Sequence, residues 1–307
     1  MTKIGIPKAM FYHQQGSLWE KFFTDIGCEV KVSGDTNKKI LDQGVLSCSN
    51  ETCLPVKVFH GHVQSLLEEV DFVFVPRCVC LDKGEFTCPK ICALPDMVRL
   101  NLKQKEKILS ITLDEKRFPQ ITNEGIGELA KVLGQNKREV ISAFHKALDW
   151  FNGLKLEQEG DSKGAVLVLG HPYIIYDKHL SMELIQKLKG RGISICTPQS
   201  LSFSVKRENS YPYYGRPFWD AGFENLGSAF FYAAEGDVRG VIYITAFGCG
   251  IDSFVSEFIE RRFEALYNVP LLRLTIDEHT GEAGFDTRVE AFLDMIGKHG
   301  DGYFASS

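Results

Sequence analysis

Three of the nine cysteines in this 307-residue chain stand where a strand would hand over to a helix. They are Cys53 in Glu-Thr-Cys-Leu-Pro, Cys88 in Thr-Cys-Pro-Lys and Cys249 in Phe-Gly-Cys-Gly-Ile-Asp-Ser. A thiol at a helix N-terminus meets the positive end of the helix dipole, which favours the thiolate that metals bind. Gly248 and Gly250 beside Cys249 let a bulky ligand approach the backbone. Pro55, two residues after Cys53, suits the first turn of a helix. Cys88 is followed directly by Pro89, a pairing that recurs at the ends of iron–sulfur ligand runs. Three thiols drawn from separate segments describe a metal-cluster pocket open on one side. The competing reading is core packing, and for Cys249 a buried cysteine in a Gly-rich turn.

The other six cysteines divide by context. Cys28 and Cys196 precede or end strands and read as small hydrophobes in the core, while Cys48 is a spare thiol upstream of Cys53. Cys78, Cys80 and Cys92 crowd the Cys88 loop and offer Cys-x-Cys and Cys-x3-Cys pairs. Neither the paired spacing of a structural zinc site nor the compact run of a ferredoxin is present. The site must therefore be assembled by the tertiary fold. An odd cysteine count fits a reducing compartment, where thiols serve as core, metal ligand or redox group.

The elements that position these residues follow from apolar periodicity. Strands are expected at Lys3–Pro7, Glu29–Val32, Val70–Val75 and Lys107–Thr112. Helices are expected after a Ser17-x-x-Glu20 capping box, ended by Gly27, and from Pro55 to Glu69. Residues 123–156 read as a helical segment without a strand, and Gln158–Lys163 as a polar linker. The alternation then restarts with strands at Ala165–Leu169, Ile193–Cys196, Gly240–Ala246 and Leu271–Ile276. Helices are expected at Leu180–Leu188, Asn225–Ala234, Phe254–Leu266 and Val289–Ile296. The predicted fold class is α/β, with two Rossmann-like parallel-sheet domains and a helical insert, at residues 1–157 and 164–307. Two of the three cysteines fall in the first domain and one in the second, so the cluster is expected at the domain junction.

Composition excludes several functions. The chain is 44% hydrophobic and 24% charged with a net charge of −5, which offers no basic face for nucleic acid. No apolar run approaches the ~18 residues of a membrane span, and the N-terminal segment enters a strand without a signal-peptide core. A cytoplasmic protein is expected. Gly125-x-Gly127-x-x-Ala130 does not follow a strand, and no phosphate loop is present, so neither dinucleotide nor ATP binding is expected in this chain.

Four segments together resemble a known family. They are Glu-Thr-Cys-Leu-Pro-Val-Lys-Val-Phe-His-Gly-His at 51–62, Cys-Pro-Lys at 88–90 with Leu-Pro-Asp-Met-Val-Arg at 94–99, Gly-Cys-Gly-Ile-Asp-Ser-Phe at 248–254, and Ile-Asp-Glu-His-Thr-Gly-Glu-Ala-Gly at 276–284. The sequence resembles the acyl-CoA dehydratase activase-related family, allied to 2-hydroxyacyl-CoA dehydratase subunits and double-cubane cluster proteins. That resemblance implies Rossmann-like domains around a [4Fe-4S] cluster held by Cys53, Cys88 and Cys249, with one iron open to water or substrate. It also implies oxygen sensitivity, pairing of subunits, and low-potential electrons supplied by an ATP-hydrolysing activator of actin/sugar-kinase fold. The implied function is reduction of a small-molecule substrate. Dehydratase subunits are longer than this chain, and no CoA-binding element stands out. A non-catalytic electron-transfer or scaffold subunit is the alternative function, and a zinc-bound or metal-free binding protein is a third.

Other polar groups lie at the same predicted strand ends. His171 and Tyr173, with Asp177, follow the Ala165–Leu169 strand and are candidate proton donors, as is Glu51 beside Cys53. Structural turns and capping compete with each of these roles. Asp277, Glu278, His279 and Thr280, then Glu282 and Arg288, are expected in structural hydrogen bonds or at the site. His60 and His62 stand two apart on a helix and do not share a face. Tyr211, Tyr213, Tyr214, Phe218 and Trp219 are expected in packing or a subunit interface.

Overall fold

Short apolar strands alternate with helices along most of the chain, and a computed structural model sorts them into two units. It describes residues 1–82, 85–114, 119–154, 164–214, 219–236, 238–267 and 269–303. The expected linker at 158–163 lies outside the described residues. The first unit comprises Met1–Glu157 with Phe218–Asp220, and the second Gln158–Pro217 with Ala221–Ser307.

The first unit begins with β1 (Lys3–Ile6), α1 (Tyr12–Asp25), β2 (Glu29–Val32), α2 (Lys38–Ser47), α3 (Leu54–Leu66) and β3 (Phe72–Phe74). It continues with β4 (Arg77–Asp82), β5 (Glu85–Phe86), α4 (Pro89–Cys92), α5 (Leu94–Asn101), β6 (Ile108–Leu109) and β7 (Thr112–Asp114). Two helices, α6 (Pro119–Val132) and α7 (Lys137–Leu154), complete it. The main sheet has the order β2-β1-β3-β6, and every pair in it is parallel. A small second sheet, β5-β4-β7, pairs β4 parallel to β7 and antiparallel to β5. Ile4 and Val73 in the central strands are fully buried, as a sheet covered on both faces requires. Trp19 of α1 packs on Phe74 of β3 at 4.7 Å and on Phe144 of α7 at 5.8 Å between ring centroids. Aromatic pairs of this kind add ~1 kcal/mol each beyond area burial.

Several sequence expectations change here. The capping box fails: α1 starts earlier, with Phe11 as its N-cap and no side-chain cap, which leaves Ser17 inside the helix. Met10 adopts a φ of 52° and turns the chain into that helix, while Gly27 closes its far end at a φ of 78° as expected. The helical segment 123–156 is two helices, because Gly134 with a φ of 65° breaks it between α6 and α7. The single strand expected at Lys107–Thr112 is divided between β6 and β7, in different sheets.

Helix α3 carries two histidines as buried structural groups. His60 Nδ1 lies 2.8 Å from the Val56 carbonyl, one turn back. His62 is fully buried between Ser33 Oγ at 2.8 Å from Nδ1 and Thr36 Oγ1 at 2.9 Å from Nε2. Burial, with the nearby His13 and Lys8, lowers the His62 pKa from 6.5 to about 4. Between those values the unfolded chain binds a proton that the folded chain refuses. Stability is therefore full above pH ~6.5 and falls as pH drops toward 4, by on the order of 3 kcal/mol. Urea unfolding at pH 7 and at pH 4.5 is expected to show this loss, and His62→Gln is expected to remove most of the difference.

The second unit contains β8 (Ala165–Leu169), α8 (Pro172–Ile175), α9 (Leu184–Gly190), β9 (Ile195–Cys196), α10 (Phe203–Tyr214) and α11 (Asp220–Glu235). It ends with β10 (Val238–Ala246), α12 (Gly250–Leu266), β11 (Leu271–Ile276) and α13 (Glu282–Tyr303). Its sheet, β11-β10-β8-β9, is parallel throughout. Strands β8 and β10 lie side by side, with Leu169 opposite Tyr243, so their following loops leave the same edge. Gly170 makes the turn after β8 at a φ of 143°, where an added Cβ would sit 2.5 Å from the Ile244 carbonyl oxygen. The chain thus forms two parallel-sheet α/β units. Among the described residues no helix is long and apolar enough to cross a membrane.

Candidate functional site

In the second unit the loops after β8 and β10 bring His171 and Cys249 together, 78 positions apart in sequence. Cys249 is the N-cap of α12, with its own N–H donated to the Ala246 carbonyl at 3.1 Å. Gly248 before it takes a φ of 78°, which a side chain would strain. The half-buried Cys249 Sγ accepts the N–H of Asp252 at 3.5 Å, the bond that a serine or asparagine oxygen makes at this position. His171 caps the short helix α8, where Pro172 supplies the first residue. Its Nε2 lies 3.7 Å from Cys249 Sγ and 3.3 Å from Asp252 Oδ2. Tyr173 stacks on the imidazole at 4.6 Å with an 11° tilt, which fixes the plane of the ring.

Beneath these groups Tyr243 of β10 donates its hydroxyl to Asp252 Oδ1 at 3.2 Å. Both residues are fully buried, and burial raises the pKa of Asp252 and raises that of Tyr243 well above its ordinary value. Asp252 Oδ2 has no hydrogen-bond partner among the described residues, and His171 Nε2 approaches it without hydrogen-bond geometry. Sequence reading did not assign Asp252 and Tyr243 to the site. A tyrosine inside the aliphatic strand Val-Ile-Tyr-Ile, and an aspartate three residues after the N-cap, were the available signals.

The first unit holds Cys53 and Cys88. Cys53 is the N-cap of α3, at φ −64° and ψ 148°, with Pro55 in the first turn. Cys88 is the N-cap of α4, at φ −54° and ψ 140°, followed by Pro89. Both are half-buried. Burial raises the Cys53 pKa, opposed by the Lys90 ammonium and the Val56 N–H and reinforced by Cys88, so the two thiols lie within electrostatic reach. Lys90 Nζ donates to the Glu51 carbonyl at 3.2 Å and ties the two loops together. Arg77 holds the far end of α4, donating to the Cys92 carbonyl at 2.9 Å and to Asp96 at 2.7 Å.

The remaining candidates separate clearly. The Glu51 side chain is exposed. Cys78 and Cys80 are fully buried in β4, Cys28 and Cys196 are buried, and burial pushes the Cys48 thiol up to about 11. No disulfide forms among the described residues. Asp177 Oδ1 accepts the N–H groups of His179 and Leu180 in a local turn. Asp277 Oδ1 likewise accepts from His279 N and Thr280 Oγ1. Glu282 pairs with Lys187, and Arg288 donates to the Arg273 carbonyl. Tyr211 and Trp219 are partly exposed, whereas the side chains of Tyr213, Tyr214 and Phe218 lie outside the described residues.

Comparison with known proteins gives two family matches. Residues 3–201 match the CoA enzyme activase uncharacterised domain, and residues 231–296 match the 2-hydroxyglutaryl-CoA dehydratase D-component. The first match includes Cys53, Cys88 and His171, and the second includes Tyr243, Cys249 and Asp252. No curated protein matches the sequence. Among solved structures, a zinc-bound AdcAII variant of Streptococcus pneumoniae is 9% identical, covering 96% of this chain and 98% of its own, with a TM-score of 0.31. That likeness is too low to inform fold or ligand. The activase-domain match spans well over half of the chain and joins the Cys53 and Cys88 loops to the β8 loop, and the chain belongs to that CoA enzyme activase family.

Proposed function

We propose that this chain is an oxygen-sensitive [4Fe-4S] protein of the 2-hydroxyacyl-CoA dehydratase and double-cubane group, with Cys53, Cys88 and Cys249 as ligands. In this reading it reduces a small substrate with low-potential electrons from an ATP-hydrolysing activator of actin/sugar-kinase fold. One observation carries the reading: all three cysteines are helix N-caps, with Pro or Gly in the first two positions of each helix. The donor set fits the group, since each is a half-buried thiol outside any disulfide. Such a cluster, when bound, supplies one-electron transfer and, with three protein ligands, an iron able to polarise a substrate.

The chain's own residues would serve that chemistry in distinct ways. The N-cap positions would present the three sulfurs at helix starts, and Cys249 Sγ already accepts the Asp252 N–H. His171 places Nε2 next to Cys249 and can hold a proton there, with Tyr173 keeping the ring in plane. Glu51, exposed near the Cys53 loop, is a second proton source. The reading extends to a cytoplasmic homo-oligomer whose functional domains are residues 1–157 and 164–307.

Anaerobic purification with iron and acid-labile sulfide analysis tests this. About four irons and four sulfides per chain are expected, and a chain that binds no iron after reconstitution overturns it. Mixing the reduced protein with activator, ATP and candidate acyl thioesters separates a reductase from an electron carrier, because only a reductase forms product.

A further inference from the structure

We propose that His171, Cys249 and Asp252 form a second kind of metal site, which takes a single zinc ion when no cluster is bound. The ligand atoms are one imidazole nitrogen, one thiol sulfur and one carboxylate oxygen, all within 4.8 Å of one another. The two separations from His171 Nε2 match a small tetrahedral ion. Zinc bonds of about 2.0 Å to nitrogen and oxygen and about 2.3 Å to sulfur place N and O about 3.3 Å apart, and N and S about 3.5 Å. The observed separations are 3.3 Å for His171 Nε2 to Asp252 Oδ2 and 3.7 Å for His171 Nε2 to Cys249 Sγ.

Asp252 supplies the independent sign of a ligand. It is fully buried, yet Oδ2 lacks a hydrogen-bond partner among the described residues, while Tyr243 satisfies Oδ1. A buried carboxylate oxygen without a partner costs ~1–3 kcal/mol or more, and a cation at the point between the three groups removes that cost. The neighbours are already arranged as supports for ligands. Tyr243 fixes the carboxylate and Tyr173 fixes the imidazole plane, the kind of outer contact that orients metal-binding side chains.

The mixed nitrogen, sulfur and oxygen set selects a borderline ion such as zinc over magnesium or calcium, which prefer oxygen alone. Binding converts the Cys249 thiol to a thiolate and releases one proton to solvent. Three protein ligands leave a fourth tetrahedral position for water or a substrate oxygen. The site shares Cys249 with the proposed cluster, so the two metals exclude each other. It does not use Cys53 or Cys88.

That difference gives the test. Cluster-free full-length protein is titrated anaerobically with cobalt(II) as the spectroscopic stand-in for zinc. One cobalt per chain is expected, with a thiolate-to-cobalt charge-transfer band, and zinc displaces it. C249A removes the band. H171Q and D252N each weaken cobalt binding more than about a hundredfold. C53A and C88A bind cobalt as the parent does. Cobalt binding without a thiolate band overturns the inference. So does a cobalt site lost in C53A or C88A and retained in H171Q and D252N. Failure of the parent to bind iron bears on the cluster reading alone and leaves the cobalt result standing as its own answer.

Discussion

Cys249→Ala is expected to give a folded protein that retains less than about one iron per chain after anaerobic reconstitution, against about four in the parent. The fold survives because the backbone-to-backbone bonds of this turn do not involve sulfur. Residue 249 keeps its N–H bond to the Ala246 carbonyl at 3.1 Å, and its carbonyl still accepts from Ser253 N at 3.1 Å. The losses include the Asp252 N–H bond to Sγ, about 1 kcal/mol for a helix cap, and the sulfur's contact with His171 Nε2, a small share of the stability of a chain this size. The proposed cluster, by contrast, would lose one of its three protein ligands. Cys53→Ala and Cys88→Ala are expected to behave alike, whereas Cys196→Ala, in the buried strand β9, keeps the iron of the parent. A Cys249→Ala protein with the visible spectrum of the parent would remove Cys249 from the ligand set.

Gly44→Ala and Gly61→Ala carry the largest expected loss of stability. These glycines lie where α2 and α3 touch backbone to backbone. A Cβ on Gly44 would sit 1.8 Å from the Lys57 carbonyl oxygen, and one on Gly61 would sit 1.9 Å from the Ile40 carbonyl oxygen. A backbone carbonyl within a helix cannot swing aside, so the helices must separate. The separation pulls the buried Ile40 away from the α3 backbone at Gly61, which it now touches. Overpacking of this kind costs ~3 kcal/mol and lowers Tm by on the order of ten degrees. Gly153→Ala is the control, because a Cβ there meets nothing within 4 Å and alanine favours a helix. Thermal unfolding of the three variants decides the point, and equal melting for all three would show that α2 and α3 can part freely. The pair matters for the site because Cys53 caps the start of α3.

The capping box around Ser17 shows why a local signal can mislead. Its residue types were right, but the box needs a residue outside the helix, and the turn at Met10 starts the helix before it. Helix α2 and the small β5-β4-β7 sheet are not predicted, since a ten-residue helix and strands of two to six residues carry little periodicity. The strand–helix alternation of the second unit was legible, because β8, β10 and β11 are long apolar runs bounded by glycine or turn residues.

The sequence by itself determined where each thiol of interest sits on its own helix. Pro55, Pro89 and Gly250 are short-range signals, and each does open a helix capped by Cys53, Cys88 or Cys249. The long motifs likewise identified the family without any coordinates. Only the tertiary structure decided that His171 and Asp252 meet at Cys249. That meeting depends on the parallel pairing of β8 with β10 and on the register that sets Leu169 opposite Tyr243, a relation between residues some 70 to 80 positions apart. Capping and periodicity act over one helical turn or a few strand residues, so they place a residue on its element. Strand register places elements against one another, and it is register that turned a cap, a turn histidine and a buried aspartate into one site.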